Sequence, residues 1–183
     1  DVVVIPKQSQ WLYLDDGTDQ GTAWQSYIYN DAGWKSGNGP LGYNENIINT
    51  TVSYGNDAQN KYLCNYFRKK VTINNLNLCS SVTADILGGD GIIVYVNGIE
   101  VFRRNMPEGE SGYNVPATTY AADAEEVSYS SFTIDKSFFI EGQNIIAVEV
   151  HQNSLTSSDL SFDMGLNLRF VSEGSVTIVK SLT

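Results

Sequence analysis

The chain reads as all-β, a two-sheet antiparallel β-sandwich, and three observations predict it. Apolar and polar residues alternate with period two again and again, while helical periodicity is nearly absent. One segment, Gly88 to Phe102 (GGDGIIVYVNGIEVF), writes a complete β-hairpin. Turn residues punctuate the chain at Asp15-Asp16-Gly17, Gly37-Asn38-Gly39-Pro40, Gly88-Gly89-Asp90-Gly91, Asn97-Gly98 and Glu141-Gly142-Gln143-Asn144, leaving strands enough for two sheets.

Taken in order, Trp11 begins a strand, and residues 22–60 follow as a long irregular stretch. Leu63, Phe67, Val71 and Ile73 then alternate against Tyr62, Tyr66, Arg68 and Lys70, which predicts a strand with one core face and one wet face. In the hairpin, Ile92-Ile93-Val94-Tyr95-Val96 is β-branched and aromatic, Asn97-Gly98 tolerates φ > 0 at both positions, and Ile99-Glu100-Val101-Phe102 resumes strand character. That predicts a type I′ turn. Residues 105–126 form a second irregular stretch. Ile146, Val148 and Val150 alternate against Ala147, Glu149 and His151. From Leu160 to Phe170, Leu160, Phe162, Met164, Leu166, Leu168 and Phe170 share a core face, with Ser161, Asp163, Gly165, Asn167 and Arg169 on the wet one. Residues 1–171 are thus expected to form one sandwich domain, with 172–183 a final strand or the start of a linker. Long loops on a rigid sandwich are where binding residues concentrate, so 22–60 and 105–126 are the stretches to search.

Charge narrows the partners. With 11 Lys+Arg against 21 Asp+Glu, the net charge of -10 repels nucleic acid and anionic lipid. Arg68-Lys69-Lys70 and Arg103-Arg104 are the only basic clusters and read as solvated strand ends. No apolar run is long enough to span a membrane, and the opening DVVVIPKQSQ has no signal-peptide pattern. Eleven Tyr, three Trp and little Lys fit a secreted or cell-surface protein. Cys64 and Cys79 would close a loop of about 15 residues, a cross-link worth about 3 kcal/mol; a disulfide and two separate thiols both remain open.

Several segments together resemble the galactose-binding-domain-like β-sandwiches, jelly rolls appended to secreted bacterial carbohydrate-active and surface proteins. The segments are Tyr29-Asn30-Asp31-Ala32-Gly33-Trp34, Pro40-Leu41-Gly42-Tyr43, Asp90-Gly91 leading into Val94-Tyr95-Val96-Asn97-Gly98, and Gly142-Gln143-Asn144-Ile145-Ile146-Ala147-Val148-Glu149-Val150. With Trp11 to Trp24 and Arg103 to Tyr113, they cover most of the chain between Trp11 and Phe170. The resemblance implies a non-catalytic module that binds glycans through loops at one end of the sandwich and often carries a structural Ca²⁺. One fold hosts many roles, so the residues must be weighed on their own.

Three chemistries are open to those residues. For catalysis, His151 is followed by Ser154, Ser157, Ser158 and Asp159, yet no nucleophile elbow precedes them, and Glu125-Glu126 diverge in an extended chain. For a metal, Asp15-Asp16-Gly17-Thr18-Asp19 offers oxygens in a turn without the spacing of an EF-hand loop, and Asp163 is a spare candidate; the ligands stay undetermined. For carbohydrate, if Ile145 to His151 pairs antiparallel with Ile92 to Val96, one rim gathers Asp90, Arg103, Arg104, Asn105, Tyr113, His151 and Gln152. The competing role for the same residues is to cap loops and each other. Trp11 and Trp34 are expected in the core, whereas Trp24 and Tyr43 sit beside Gly- or Asn-rich loop sequence and are candidate sugar platforms. The expected function is carbohydrate binding by a non-catalytic accessory module, with other domains of a larger chain as further partners. A structural or protein-interaction module is the first alternative and a stand-alone hydrolase the second.

Overall fold

The computed structural model describes residues 1–109, 111–122 and 126–171. Among them twelve strands build two six-stranded sheets. They are β1 (Val2–Ile5), β2 (Gln10–Leu14), β3 (Lys35–Asn38), β4 (Leu41–Tyr43), β5 (Thr50–Thr51), β6 (Cys64–Ile73), β7 (Cys79–Gly88), β8 (Gly91–Val96), β9 (Ile99–Arg104), β10 (Ser130–Ile134), β11 (Gly142–His151) and β12 (Leu160–Phe170). The first sheet runs β10-β7-β12-β4-β5 with β1 also on β12, and the second runs β3-β2-β6-β11-β8-β9. Every pairing is antiparallel except the short β4–β5 ladder. The expected all-β sandwich is the architecture found; the expectation for 172–183 lies outside the described residues.

The alternation in β6, β11 and β12 sends their apolar faces into the gap between the sheets. There Phe162 stacks on Phe67 at 4.2 Å and meets Trp11 edge-on at 5.1 Å, so Trp11 is the core anchor its position predicts. The hairpin also forms as read: Asn97 and Gly98 take φ of 52° and 84°, the pair a type I′ turn requires. A bulge between Val94 and Tyr95 then shifts the register of β9.

The wet faces are where the structure departs from the expectation. Tyr66 and Arg68 on β6, and Ala147, Glu149 and His151 on β11, are buried rather than solvated. Loop segments lie over the second sheet and make a second apolar layer, in which Trp24 packs on Tyr66 at 4.8 Å beside Tyr95, Met106 and Ala117. Arg68 therefore heads no basic patch: Asp31 Oδ2 accepts from its Nε at 2.9 Å, and its guanidinium lies over the Tyr29 and Trp34 rings. Trp34 itself is only half-buried on the rim of that layer. On β12, Ser161 and Asp163 are fully buried too, because Ser161 donates to the Glu126 carbonyl at 2.6 Å, and Asp163 Oδ2 accepts from the Gln8 amide and the Tyr129 hydroxyl. The stretch 22–60 also carries three short strands, β3 to β5.

The disulfide does not form. Cys64 lies in the outer layer of the second sheet and Cys79 in the core between the sheets, where each is a free, buried thiol. Cys64 shares the outward parity of Tyr66 and Arg68 on β6, and the loop layer encloses it with them.

Candidate functional site

The end of the sandwich that the hairpin opens onto is organised by Asp90, in the turn from β7 to β8. Its backbone has no room for larger neighbours: a Cβ on Gly91 would stand 2.4 Å from Met106 Sδ and 2.8 Å from Ala117 Cβ. Asp90 Oδ1 accepts from the Ala121 amide at 2.9 Å, and Oδ2 from the Asn153 amide at 2.8 Å and the Ser157 hydroxyl at 3.2 Å. One carboxylate thereby ties three loops together, each bond stronger for being charge-assisted.

The predicted pairing of β11 with β8 is present, with His151 opposite Gly91. It brings Asp90, Arg104, Asn105, His151 and Gln152 to one end, but their polar groups are turned to structural use. Arg104 Nη2 donates to the Gly88 carbonyl at 2.5 Å, and Asn105 Nδ2 donates to that of Asp90 at 2.9 Å. Gln152 Nε2 donates to the Tyr43 hydroxyl and the Asp159 carbonyl, both at 2.7 Å. His151 is fully buried, with Nδ1 on the Val115 carbonyl. Arg103 points to the other side of β9, where it makes a bidentate pair with Glu100 at 2.7 and 2.6 Å and holds the carbonyls of Pro107 and Gly109. The hydrogen bond to Glu100 pushes its pKa up from its already high ordinary value, against the opposing effect of burial. Arg103 lines a separate open cleft with Gln25, Tyr95 and Glu108. Tyr113 is half-buried against the outer layer, where burial pushes its hydroxyl up to about 12.

Two candidate sugar platforms are overturned. Trp24 is wholly buried and Tyr43 is 3% exposed, so neither ring offers a face to a ligand. The Gly- and Asn-rich sequence around them folds inward because these rings are its anchors.

The loops assemble a different concave site beside Asp90. A cavity of about 210 Å³ is lined by Asp90, Tyr120, Glu126, Asn153, Ser157 and Asp159. Tyr120 is 71% exposed there, although no alternation or turn pattern in the sequence marks it. Glu126 is 7% exposed, and burial followed by the Asp159 carboxylate raises its pKa to about 8. The folded chain thus keeps this proton well above the ordinary carboxylate value of about 4.3 at which the unfolded chain releases it. Its contribution to stability is full below that value and is lost as pH rises through about 8. With a chelator present, Glu126→Gln is expected to leave the unfolding midpoint little changed at pH 5 and to raise it above that of the unsubstituted protein at pH 8.5. An equal pH slope in both proteins would show that Glu126 is not its source.

Carboxylate oxygens of Glu45, Glu126 and Asp159 lie within 4.8 Å of one another, a hard donor set that fits Ca²⁺. The predicted Asp15–Asp19 loop does not fit it. Asp15 accepts from Lys35 Nζ at 2.7 Å and the Ser53 amide at 2.6 Å, while Asp16 and Asp19 close turns onto Thr18 and Gly21. The Ser-His-Asp order is not assembled either: Ser157 donates to Asp90 and Asn153, Ser158 to Asp159, and the His151 nitrogens face Val115 and Glu149. Glu125 lies outside the described residues.

The chain matches no protein-family model and no curated protein. Solved structures do match. A Bacteroides uniformis β-glucuronidase 2, covalently bound to cyclophellitol-6-carboxylate aziridine, superposes with a TM-score of 0.58 at 17% identity over 88% of this chain. A β-glycosidase from Bacteroides vulgatus gives 0.52 at 19% over 92%, and a glycosyl hydrolase family 2 member from Bacteroides cellulosilyticus gives 0.55 at 17% over 91%. What is shared is the β-sandwich fold. This chain spans only 17%, 20% and 21% of those chains.

Proposed function

We propose that this chain is a galactose-binding-like sandwich that serves as a non-catalytic carbohydrate-binding module of a larger secreted or surface protein. The observation that carries the reading is the cavity beside Asp90. Tyr120 gives the exposed ring that stacks on the C–H face of a sugar, while Asn153, Ser157 and the carboxylates of Asp159 and Glu126 supply groups for its hydroxyls. The volume of about 210 Å³ suits one terminal sugar unit rather than a long chain. The fold likeness to part of each of several glycosidase chains supports a place beside a catalytic domain. A Ca²⁺ held by Glu45, Glu126 and Asp159 would neutralise the repulsion among these carboxylates and order the loops around the sugar. The net charge of -10 supports a neutral or cationic ligand over nucleic acid.

Affinity electrophoresis on a panel of polysaccharides, with and without a chelator, tests this. Retardation on at least one polymer is expected, weakened by the chelator. Tyr120→Ala should reduce affinity about threefold to tenfold, the worth of one stacking contact, with an unchanged unfolding midpoint. Retardation that is indifferent to Tyr120→Ala would reject this cavity, and none on any polymer would leave the structural or protein-interaction module as the reading.

A further inference from the structure

Beneath the loop layer, on the outward face of the second sheet, Cys64, Glu149 and His151 bring a sulfur, an oxygen and a nitrogen within 4.8 Å of one another. Register is the cause: His151 pairs with Cys64 and Glu149 with Tyr66, and residues two apart on β11 share a face. All three are buried, at 1%, 3% and 0% exposure.

The ring of His151 fixes its own tautomer. Nδ1 stands 2.8 Å from the Val115 carbonyl, which can only accept, so Nδ1 carries the proton. In the neutral ring Nε2 then presents a lone pair; it has no hydrogen-bond partner and faces Glu149 Oε2 at 3.5 Å. The other carboxylate oxygen, Oε1, accepts from the Tyr95 hydroxyl at 2.7 Å. A bare imidazole lone pair against a carboxylate oxygen, both out of water, is costly unless a cation lies between them.

We propose that Cys64, Glu149 and His151 form a buried site for a borderline-soft divalent cation of the zinc class. Thiolate, imidazole and carboxylate are the ligand types such an ion takes. The 3.5 Å between Nε2 and Oε2 is close to the edge of about 3.4 Å that tetrahedral geometry gives with metal–ligand bonds of about 2.1 Å. The groups behind the ligands are also those that orient metal sites: a backbone carbonyl on the far imidazole nitrogen and a phenol on the far carboxylate oxygen. Binding forms a metal–sulfur bond and releases the Cys64 proton to solvent. The site is separate from the Glu45, Glu126 and Asp159 oxygens, whose hard donors suit a different ion, and it does not depend on sugar binding. The rival occupant is a proton shared between His151 and Glu149, which leaves Cys64 without a role.

Cobalt distinguishes the two. The chain produced in cobalt-supplemented medium is expected to carry one cobalt ion that shows thiolate-to-metal charge transfer in the near ultraviolet, with the intense visible bands of tetrahedral Co²⁺. Cys64→Ser should remove the charge-transfer band and lower the cobalt content at least about tenfold, whereas Cys79→Ser, in the other sheet, should keep both. Glu149→Gln, nearly isosteric, should lower the content likewise, so the test survives if Cys64→Ser misfolds. A folded chain without cobalt, cobalt without a sulfur band, or a band unchanged in Cys64→Ser would each overturn the assignment.

Discussion

Asp31→Ala is expected to destabilise the protein by about 3–5 kcal/mol, the usual cost of stranding a buried charge. Arg68 is fully buried in the middle of the second sheet, and its side chain has few other partners. Nη2 reaches the Ser26 carbonyl at 3.2 Å, and Nη1 has no hydrogen bond. Lys70 also approaches Asp31, at 3.5 Å, but from an exposed position that adds little. Without the Asp31 carboxylate the guanidinium would keep its charge and lose its main compensation. The outer layer built on Tyr29, Trp34 and Trp24 would loosen around it. Denaturant unfolding of Asp31→Ala, and of Asp31→Ala combined with Arg68→Met, measures this. The double variant should regain most of the loss, since a well-packed apolar chain can replace a buried ion pair. A loss below about 1 kcal/mol in the single variant would mean that water already reaches Arg68.

The same layer shows where the sequence is legible and where it is not. The turn at Asn97-Gly98 was readable because a type I′ turn needs φ > 0 at two consecutive positions and few residue pairs supply it. The parity of β6, β11 and β12 was readable because alternation is a local property. Alternation says which residues share a face, not whether distant loops will cover it. That is why Tyr66, Arg68, Glu149, His151 and Asp163 read as solvated and are buried. The polar residues on those faces were the available signal: each has a partner distant in sequence, as Arg68 has Asp31 and Asp163 has Gln8. β3, Lys-Ser-Gly-Asn, has no β-branched or aromatic residue and could not be distinguished from loop.

For the site, strand pairing placed Asp90 beside His151 correctly, because antiparallel register follows from two legible strands. Which polar groups stay free for a ligand depends on loop paths that no local pattern encodes. Arg104, Asn105 and Gln152 hold loop carbonyls, while Tyr120 and Glu126, from the stretch after β9, meet Asp159 from the loop between β11 and β12. Cys64 and His151 likewise look unrelated, being 87 residues apart, until the β6–β11 register sets them opposite each other.

Asp90→Ala should be the most damaging change at the candidate sugar site, with an expected loss of about 2–6 kcal/mol. Its carboxylate accepts from the buried amide of Ala121 and the part-buried amide of Asn153, and a donor left unpaired out of water costs about 1–3 kcal/mol. Because Asn153 and Ser157 line the cavity and Ala121 follows Tyr120, releasing them should displace the aromatic platform from the polar wall as well. Affinity for polysaccharide would then fall together with the unfolding midpoint. Asp90→Asn separates charge from shape: one amide oxygen can still accept, so it should retain part of the stability and show whether the negative charge itself is needed. Tyr120→Ala provides the comparison, since it removes the platform and leaves the three loops tied. If Asp90→Ala unfolds no more easily than the unsubstituted protein, Asp90 does not hold the loops in place, and its carboxylate is free to face a ligand directly.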